Sequence, residues 1–295
     1  MAFVAALYGQ TPIEARFNAD SSLVLIPATV TDSSNRFVLG LHKADFHLFE
    51  DKVEQPITHL SGEDAPLSVG VVFDISGSMG VKLRTSRQAG FRLLETLNPQ
   101  DEAFLVEFGD KAKLTLGFTS NVQEIENKLT SLQPGGLTAL LDGAELALRE
   151  MKKARNPRKA IVIISDGGDN HSRYTARDIQ SLVREADVQI YAMGVFEPSI
   201  TMPGLTQAEV SGPHLLAELA EQTGGRAFTV SDPADLPNVA TRIGIELRNQ
   251  YVLAYTPVNK NKDGKYRRVE VRVSEPVGLP NLRVRWRLGY YAPTQ

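Results

Sequence analysis

The chain has 295 residues, about 42% hydrophobic, with a formal net charge of -3 and no cysteine. That composition is ordinary for a globular protein with a full core, and the length suits one large domain or two smaller ones. The charge gives no electrostatic case for nucleic acid. The missing cysteines exclude a disulfide framework and thiolate metal sites.

Met1 to Leu7 is apolar and runs into Tyr8, Gly9 and Gln10. It is too short for a full signal peptide and has no basic n-region, so it reads as the remnant of one or as a frayed terminus. No apolar run approaches the roughly 18 residues of a membrane helix.

The next fifty residues read as strands. Leu23 and Leu25 alternate with Val24, Ile26, Ala28 and Val30, and Asp32-Ser33-Ser34-Asn35 makes a turn. Strands are expected around Phe46 to Phe49 and over Val53 to Leu60. From Ser68 the pattern becomes strand, helix, strand, helix. Val69 to Phe73 and Ala160 to Ile164 are short uninterrupted apolar runs, as in strands buried on both faces. Leu83, Ser86, Gly90, Leu93, Leu94 and Leu97 share a helical face. Ala103 to Phe108 is a strand and Leu114 to Phe118 an edge strand. Asn121 and Glu124 have capping-box spacing. Leu140, Leu141, Ala144, Leu148 and Met151 form another helical stripe.

Helices are expected near Thr175 to Glu185, over Leu215 to Thr223 with a stop at Gly224-Gly225, and from Asp232-Pro233 to about Arg248. Strands cover Gln189 to Gly194, Arg226 to Val230 and Tyr251 to Tyr255. Two more hold the alternating stretches around Val269, Val271, Val273 and Val284, Trp286, Leu288, and Asp263-Gly264 supplies a turn. The fold class is therefore α/β, with a doubly wound, mostly parallel sheet in the middle. The two strand-rich ends would leave raw edges if apart, so they are expected to close into one β-sandwich-like module. The expected divisions are 16–62 and 249–294 for that module and 66–248 for the α/β domain.

Open parallel sheets bind ligands beyond the carboxyl ends of their strands. Asp74, Ser76 and Ser78 follow the first buried strand, and Asp166 follows the second. Thr138 lies in the loop Gly135-Gly136-Leu137-Thr138-Ala139, which can reach the same edge. Two carboxylates and three hydroxyls suit a hard divalent cation such as Mg²⁺, with Mn²⁺ or Ca²⁺ as alternatives. Two carboxylates about 5 Å apart repel by roughly 3 kcal/mol at an effective dielectric of 20, so a bound cation should stabilise the fold.

Asp74 to Ser78 resembles the Asp-x-Ser-x-Ser of the metal-ion-dependent adhesion site in von Willebrand factor A domains. Thr138 and Asp166 match that site's later threonine and aspartate, although Leu137 interrupts the usual Gly-Gly-Thr. The resemblance implies ligation by Asp74, Ser76, Ser78, Thr138 and Asp166, and a protein partner that offers a carboxylate. It also implies a last helix, here after Asp232, that can move when the site gains a ligand. The flanks, with Val30-Thr31-Asp32, Phe46 to Asp51, Arg248-Asn249-Gln250-Tyr251, Asp263 to Arg267 and Gly289-Tyr290-Tyr291, resemble a bacterial group of related proteins. That likeness implies an envelope or secreted location.

Gly77, Gly136, Gly167, Asp169 and Asn170 are candidates for a supporting shell or partner surface, with a solvated loop as the plainer reading of the last two. Arg283, Arg285 and Arg287 read as a solvated strand face, and Trp286 opposite them as core. Enzyme readings fare poorly. Ser76 stands where a haloacid-dehalogenase-type phosphotransferase carries its second acid. There is no phosphate-binding glycine loop, no Gly-x-Ser-x-Gly elbow and no nucleophile–histidine pair. The expected function is a metal-dependent binding module, with a structural scaffold as the alternative.

Overall fold

The structure, a computed structural model, describes residues 23–62, 65–195, 207–274 and 281–294. The expectations for residues 1–10 and for a boundary at 16 lie outside these residues.

Four strands open the chain: β1 (Val24–Thr31), β2 (Phe46–Glu50), β3 (Val53–Gln55) and β4 (Ile57–Ser61). The α/β domain follows with β5 (Leu67–Asp74), α1 (Leu83–Leu94), β6 (Glu102–Phe108), β7 (Ala112–Thr119), α2 (Val122–Ser131) and α3 (Leu140–Met151). It continues through β8 (Arg158–Ser165), α4 (Ala176–Glu185), β9 (Gln189–Val195), α5 (Gln207–Glu221), β10 (Ala227–Val230) and α6 (Leu236–Arg248). Strands β11 (Tyr251–Tyr255), β12 (Tyr266–Val273), β13 (Arg283–Trp286) and β14 (Gly289–Tyr291) close it.

The central sheet has the order β10-β9-β8-β5-β6-β7, parallel except for the β6–β7 edge pair. Every residue of β5 is buried. Its alternate residues face opposite layers. Val69, Val71 and Phe73 pack with α1, α2 and α6, while Val72 packs with α3, α4 and α5. Gly70 is small because a Cβ there would run into the Phe104 ring. Chain order runs outward from β5 through β6 and β7 on one side, and through β8, β9 and β10 on the other. The direction of winding thus reverses between β5 and β8, which opens a crevice at their carboxyl ends.

The two ends of the chain form two four-stranded antiparallel sheets, β13-β1-β11-β4 and β14-β12-β2-β3. Their inner faces share one core built on Ile26, Leu48, Leu253, Tyr255, Val269 and Val271. Several details differ from the sequence reading. The strand expected over Val53 to Leu60 is two strands in different sheets, because Pro56 cannot donate to a ladder. Asp263-Gly264 is no tight hairpin, since β11 and β12 belong to opposite sheets, and Asp263 bridges Thr294 instead. Asn121 and Glu124 pair side chain to side chain at 3.0 Å rather than through a capping box. α5 starts well before Leu215 and runs through Pro213.

Of the arginine stripe, Arg283 is exposed as expected, but Arg285 is partly buried and Arg287 buried. Arg285 donates to Glu246 Oε1 at 3.0 Å, and Arg287 donates to Asp187 Oδ1 at 2.6 Å. Tyr191 also donates to Glu246 (3.3 Å), and Gln250 donates to both Tyr191 (3.0 Å) and Thr29 (3.3 Å). β13 therefore docks on the α/β domain, and alternation alone could not show which neighbour its arginines would meet. Glu246 is 1% exposed. Its removal takes the acceptor from partly buried Arg285 and from the buried Tyr191 hydroxyl. Glu246→Ala is expected to cost about 2–4 kcal/mol in urea unfolding. A loss under about 0.5 kcal/mol would show that the two modules are not held together by this contact.

Candidate functional site

The crevice between β5 and β8 holds Asp74, which is fully buried. Phe73 pairs with Ile164 across the two strands, so the next residues, Asp74 and Ser165, emerge side by side. Ser165 Oγ donates to Asp74 Oδ2 at 2.6 Å and accepts from the Gly167 amide at 2.9 Å. The Ser76 amide donates to Asp74 Oδ1 at 2.8 Å. The chain turns there into a short 3-10 segment, Gly77–Met79, which sets the Ser76 and Ser78 hydroxyls 3.1 Å apart. Ser76 is buried and Ser78 exposed, so the pair leads from the crevice to solvent.

Thr138 reaches this edge because its loop is laced to the first one. The Gly135 amide donates to Ile75 O (2.7 Å), and the Gly77 amide to Gly136 O (3.0 Å). Gly136 has φ +81°, and a Cβ on it would meet the Asp110 carboxylate. Asp110 in turn accepts from the Leu137 amide at 2.7 Å. The third loop is laced to the second. Asn170 Oδ1 accepts from the Thr138 amide at 2.9 Å, and the Asn170 amide donates to Thr138 O at 3.0 Å. Asp169 accepts from Ser172 Oγ at 2.5 Å and sits within 3.4 Å of the Leu141 amide. Asn170 is exposed and Asp169 partly buried, and their hydrogen bonds tie this loop to the one that carries Thr138. Gly167, at φ +80°, lies against Gly212 of α5 with no room for a side chain on either.

Asp166 faces the same crevice and pairs with Lys82, whose Nζ lies 3.4 Å from Oδ2. The sequence reading did not single out Lys82, Ser165 or Asp110. Lys82 and Asp110 had no spacing signal; Ser165 was detectable in principle from the register of two buried strands.

Burial raises the Asp74 carboxyl from 3.8 to about 6, against the pull of the Ser165 and Ser76 hydrogen bonds, and the charge of Asp166 raises it further. Burial likewise raises Asp169. The donor set available in the crevice is oxygen only: two carboxylates, paired hydroxyls and the Thr138 loop. Among the described residues no group of three or more His, Asp or Glu side chains gathers. Such a set fits a hard divalent cation, which accepts neutral hydroxyls and water beside one or two carboxylates.

A family model of the von Willebrand factor type A domain matches residues 69–168. An uncharacterized protein of Borreliella burgdorferi is 26% identical over 198 residues, covering 61% of this chain and 57% of its own length. Inter-alpha-trypsin inhibitor heavy chain H3 of Pongo abelii is 31% identical over 134 residues, covering 41% of this chain. The chain spans only 15% of that protein. A solved von Willebrand factor type A structure from Catenulispora acidiphila is 12% identical, with a TM-score of 0.55, and the match covers 94% of this chain and 74% of that one. It shares the fold.

Asp74 makes the unliganded protein sensitive to pH. The folded state keeps its proton up to about pH 6, and the unfolded chain releases it near 3.8. Between those values the folded state binds more protons, so stability falls as pH rises, by roughly 3 kcal/mol in all, and levels off above. Urea unfolding of chelator-treated protein at pH 4, 5, 6 and 7 should show this fall, and Asp74→Asn should flatten it. An unchanged slope in the variant would assign the dependence elsewhere. The buried crevice and the three laced loops fall in or beside the stretch that the family model matches: residues 69–168 are those of a von Willebrand factor type A domain.

Proposed function

We propose that this protein binds a partner through a divalent cation held by Asp74, Ser76, Ser78, Thr138 and Asp166. Von Willebrand factor A domains are interaction modules, and one relative is named as the heavy chain of an inhibitor. The observation that carries the reading is the Asp74 carboxylate. It is buried at the switch point of the sheet with hydroxyl and amide donors on it, and a second carboxylate opposes its ionisation. That arrangement is costly for the bare protein and favourable once a cation is present.

Mg²⁺ suits the donor set best, and Mn²⁺ or Ca²⁺ could replace it. The cation would supply a Lewis-acidic position for a carboxylate of the partner. The protein's own residues do the rest. Ser165 and the Ser76 amide aim Asp74, Asn170 holds the Thr138 loop, and exposed Ser78 leads to the surface. Leu137, 47% exposed, stands in the loop laced to Gly77 and offers the partner an apolar contact beside the polar centre. Residues 66–248 form the binding unit in this reading, with 16–62 and 249–294 as the module that carries it, in the cell envelope or outside the cell. No helix among the described residues is long and apolar enough to cross a membrane.

The scaffold reading, in which the cation only stabilises the fold, draws on the buried contact between the two modules. The two readings part in one experiment. Calorimetric titration of metal-stripped protein with Mg²⁺ and Mn²⁺ should show saturation near one equivalent, lost in Asp74→Ala. Partner association, measured with and without chelator, should be lost with it. Metal binding without any effect on association would leave only the scaffold reading. No binding by folded wild-type protein would reject the metal site.

A further inference from the structure

Lys82 is placed against every ordinary preference of a lysine. It is the N-cap residue of α1, directly after the segment that carries Ser76 and Ser78. A helix N-terminus repels cations, and lysine normally extends into water. Here the residue is only 8% exposed. Its ammonium crosses the crevice to Asp166 Oδ2 at 3.4 Å, and both side chains are about nine-tenths buried, at 10% and 11% exposed. The backbone fixes this route, since the Lys82 amide donates to Met79 O and its carbonyl accepts from the Ser86 amide, both at 2.9 Å.

The charges in the crevice then add up simply. Asp74 and Asp166 supply two negative charges when ionised, and Lys82 returns one. A divalent cation entering between the carboxylates meets an ammonium already paired with one of them. It must displace that pair or sit beside a like charge in a poorly screened place. A loaded site that keeps Lys82 carries one net positive charge instead of none. Such a site favours an anionic group on the partner.

We infer that Lys82 is a built-in competitor of the divalent cation, which holds Asp166 when the cation is absent and weakens its binding when it arrives. This rests on the reading of the crevice as a metal site. The consequence is a site that holds its cation more tightly when an anionic partner is also at hand, because the partner's carboxylate offsets the surplus charge.

The test is Mn²⁺ titration of full-length, metal-stripped wild type, Lys82→Met and Lys82→Arg, with thermal melts of each in chelator and in saturating Mn²⁺. The expected result is at least tenfold tighter Mn²⁺ binding by Lys82→Met and affinity within about threefold of wild type for Lys82→Arg. Mn²⁺ should also raise the melting temperature of Lys82→Met more than that of wild type. A Lys82→Met protein that folds only with Mn²⁺ would support the inference as well. Equal or weaker binding by folded Lys82→Met, beside a wild type that does bind, would overturn this inference and leave the metal site standing. A variant that fails to fold with and without Mn²⁺ would overturn it too, making the lysine a structural residue. Absence of Mn²⁺ binding in both wild type and Lys82→Met would overturn the metal reading and this inference together.

Discussion

Ser165 Oγ and the Ser76 amide stand directly on the oxygens of Asp74 in the dry end of the central sheet. A carboxylate so placed is costly unless its hydrogen bonds are short and its surroundings rigid. Both conditions are met by backbone. Ser165 is set by the pairing of β5 with β8, and the Ser76 amide by the turn that follows β5. The loops around it carry their own cross-links, from Gly77 to Gly136 and from Thr138 to Asn170. Freedom in any one loop would let water or a misdirected dipole reach Asp74, so the lacing and the buried charge depend on each other.

The lacing also explains the glycines at this edge. Gly136 and Gly167 have positive φ, and each has a neighbour where a Cβ would be: the Asp110 carboxylate for one, the Gly212 backbone for the other. The second contact ties α5 to the loop of Asp166. Lys82 ties α1 to the same residue. Asp166 is thereby held from two helices on opposite faces of the sheet, while Asp74 is held within the sheet itself.

Much of this was legible in the residues. The uninterrupted apolar runs of Val69 to Phe73 and Ala160 to Ile164 marked the central strands, and a parallel sheet brings the residues after such strands to one edge. Asp74 and Asp166 followed from that alone. The ends of the chain were also read as one module because lone strands need partners. What escaped was whatever depends on a tertiary neighbour. Arg285 and Arg287 alternate as a solvated face does, and only the docking of β13 on α6 and on the loop before β9 shows that they are interface residues. Pro56 was visible, yet the switch of the chain from one sheet to the other at that point was not. Lys82 carries no motif that separates a buried ammonium from the many lysines that begin helices in water.

The module interface lies at the other end of the sheet from the candidate site. Arg158 begins β8, Asp187 precedes β9, and Leu247 and Gln250 stand at the end of α6, whereas Asp74 is the last residue of β5 and Asp166 follows β8. An eight-residue strand separates these edges by about 26 Å. Of the helices, α6 alone runs from the site edge directly into the β-module, and its far end is bolted down. Arg248 pairs with Asp101, Arg158 donates to Leu247 O, and Glu246 holds Arg285 and Tyr191. A slide of α6 by one turn, about 5.4 Å, would break all of these contacts at once and drag β11 with it. The last-helix movement implied by resemblance would therefore have to break these contacts, of which the Glu246–Arg285 pair is the one that reaches the flanking module. A response to a ligand at the Asp74 edge that leaves these bonds intact keeps the last turn of α6 in place.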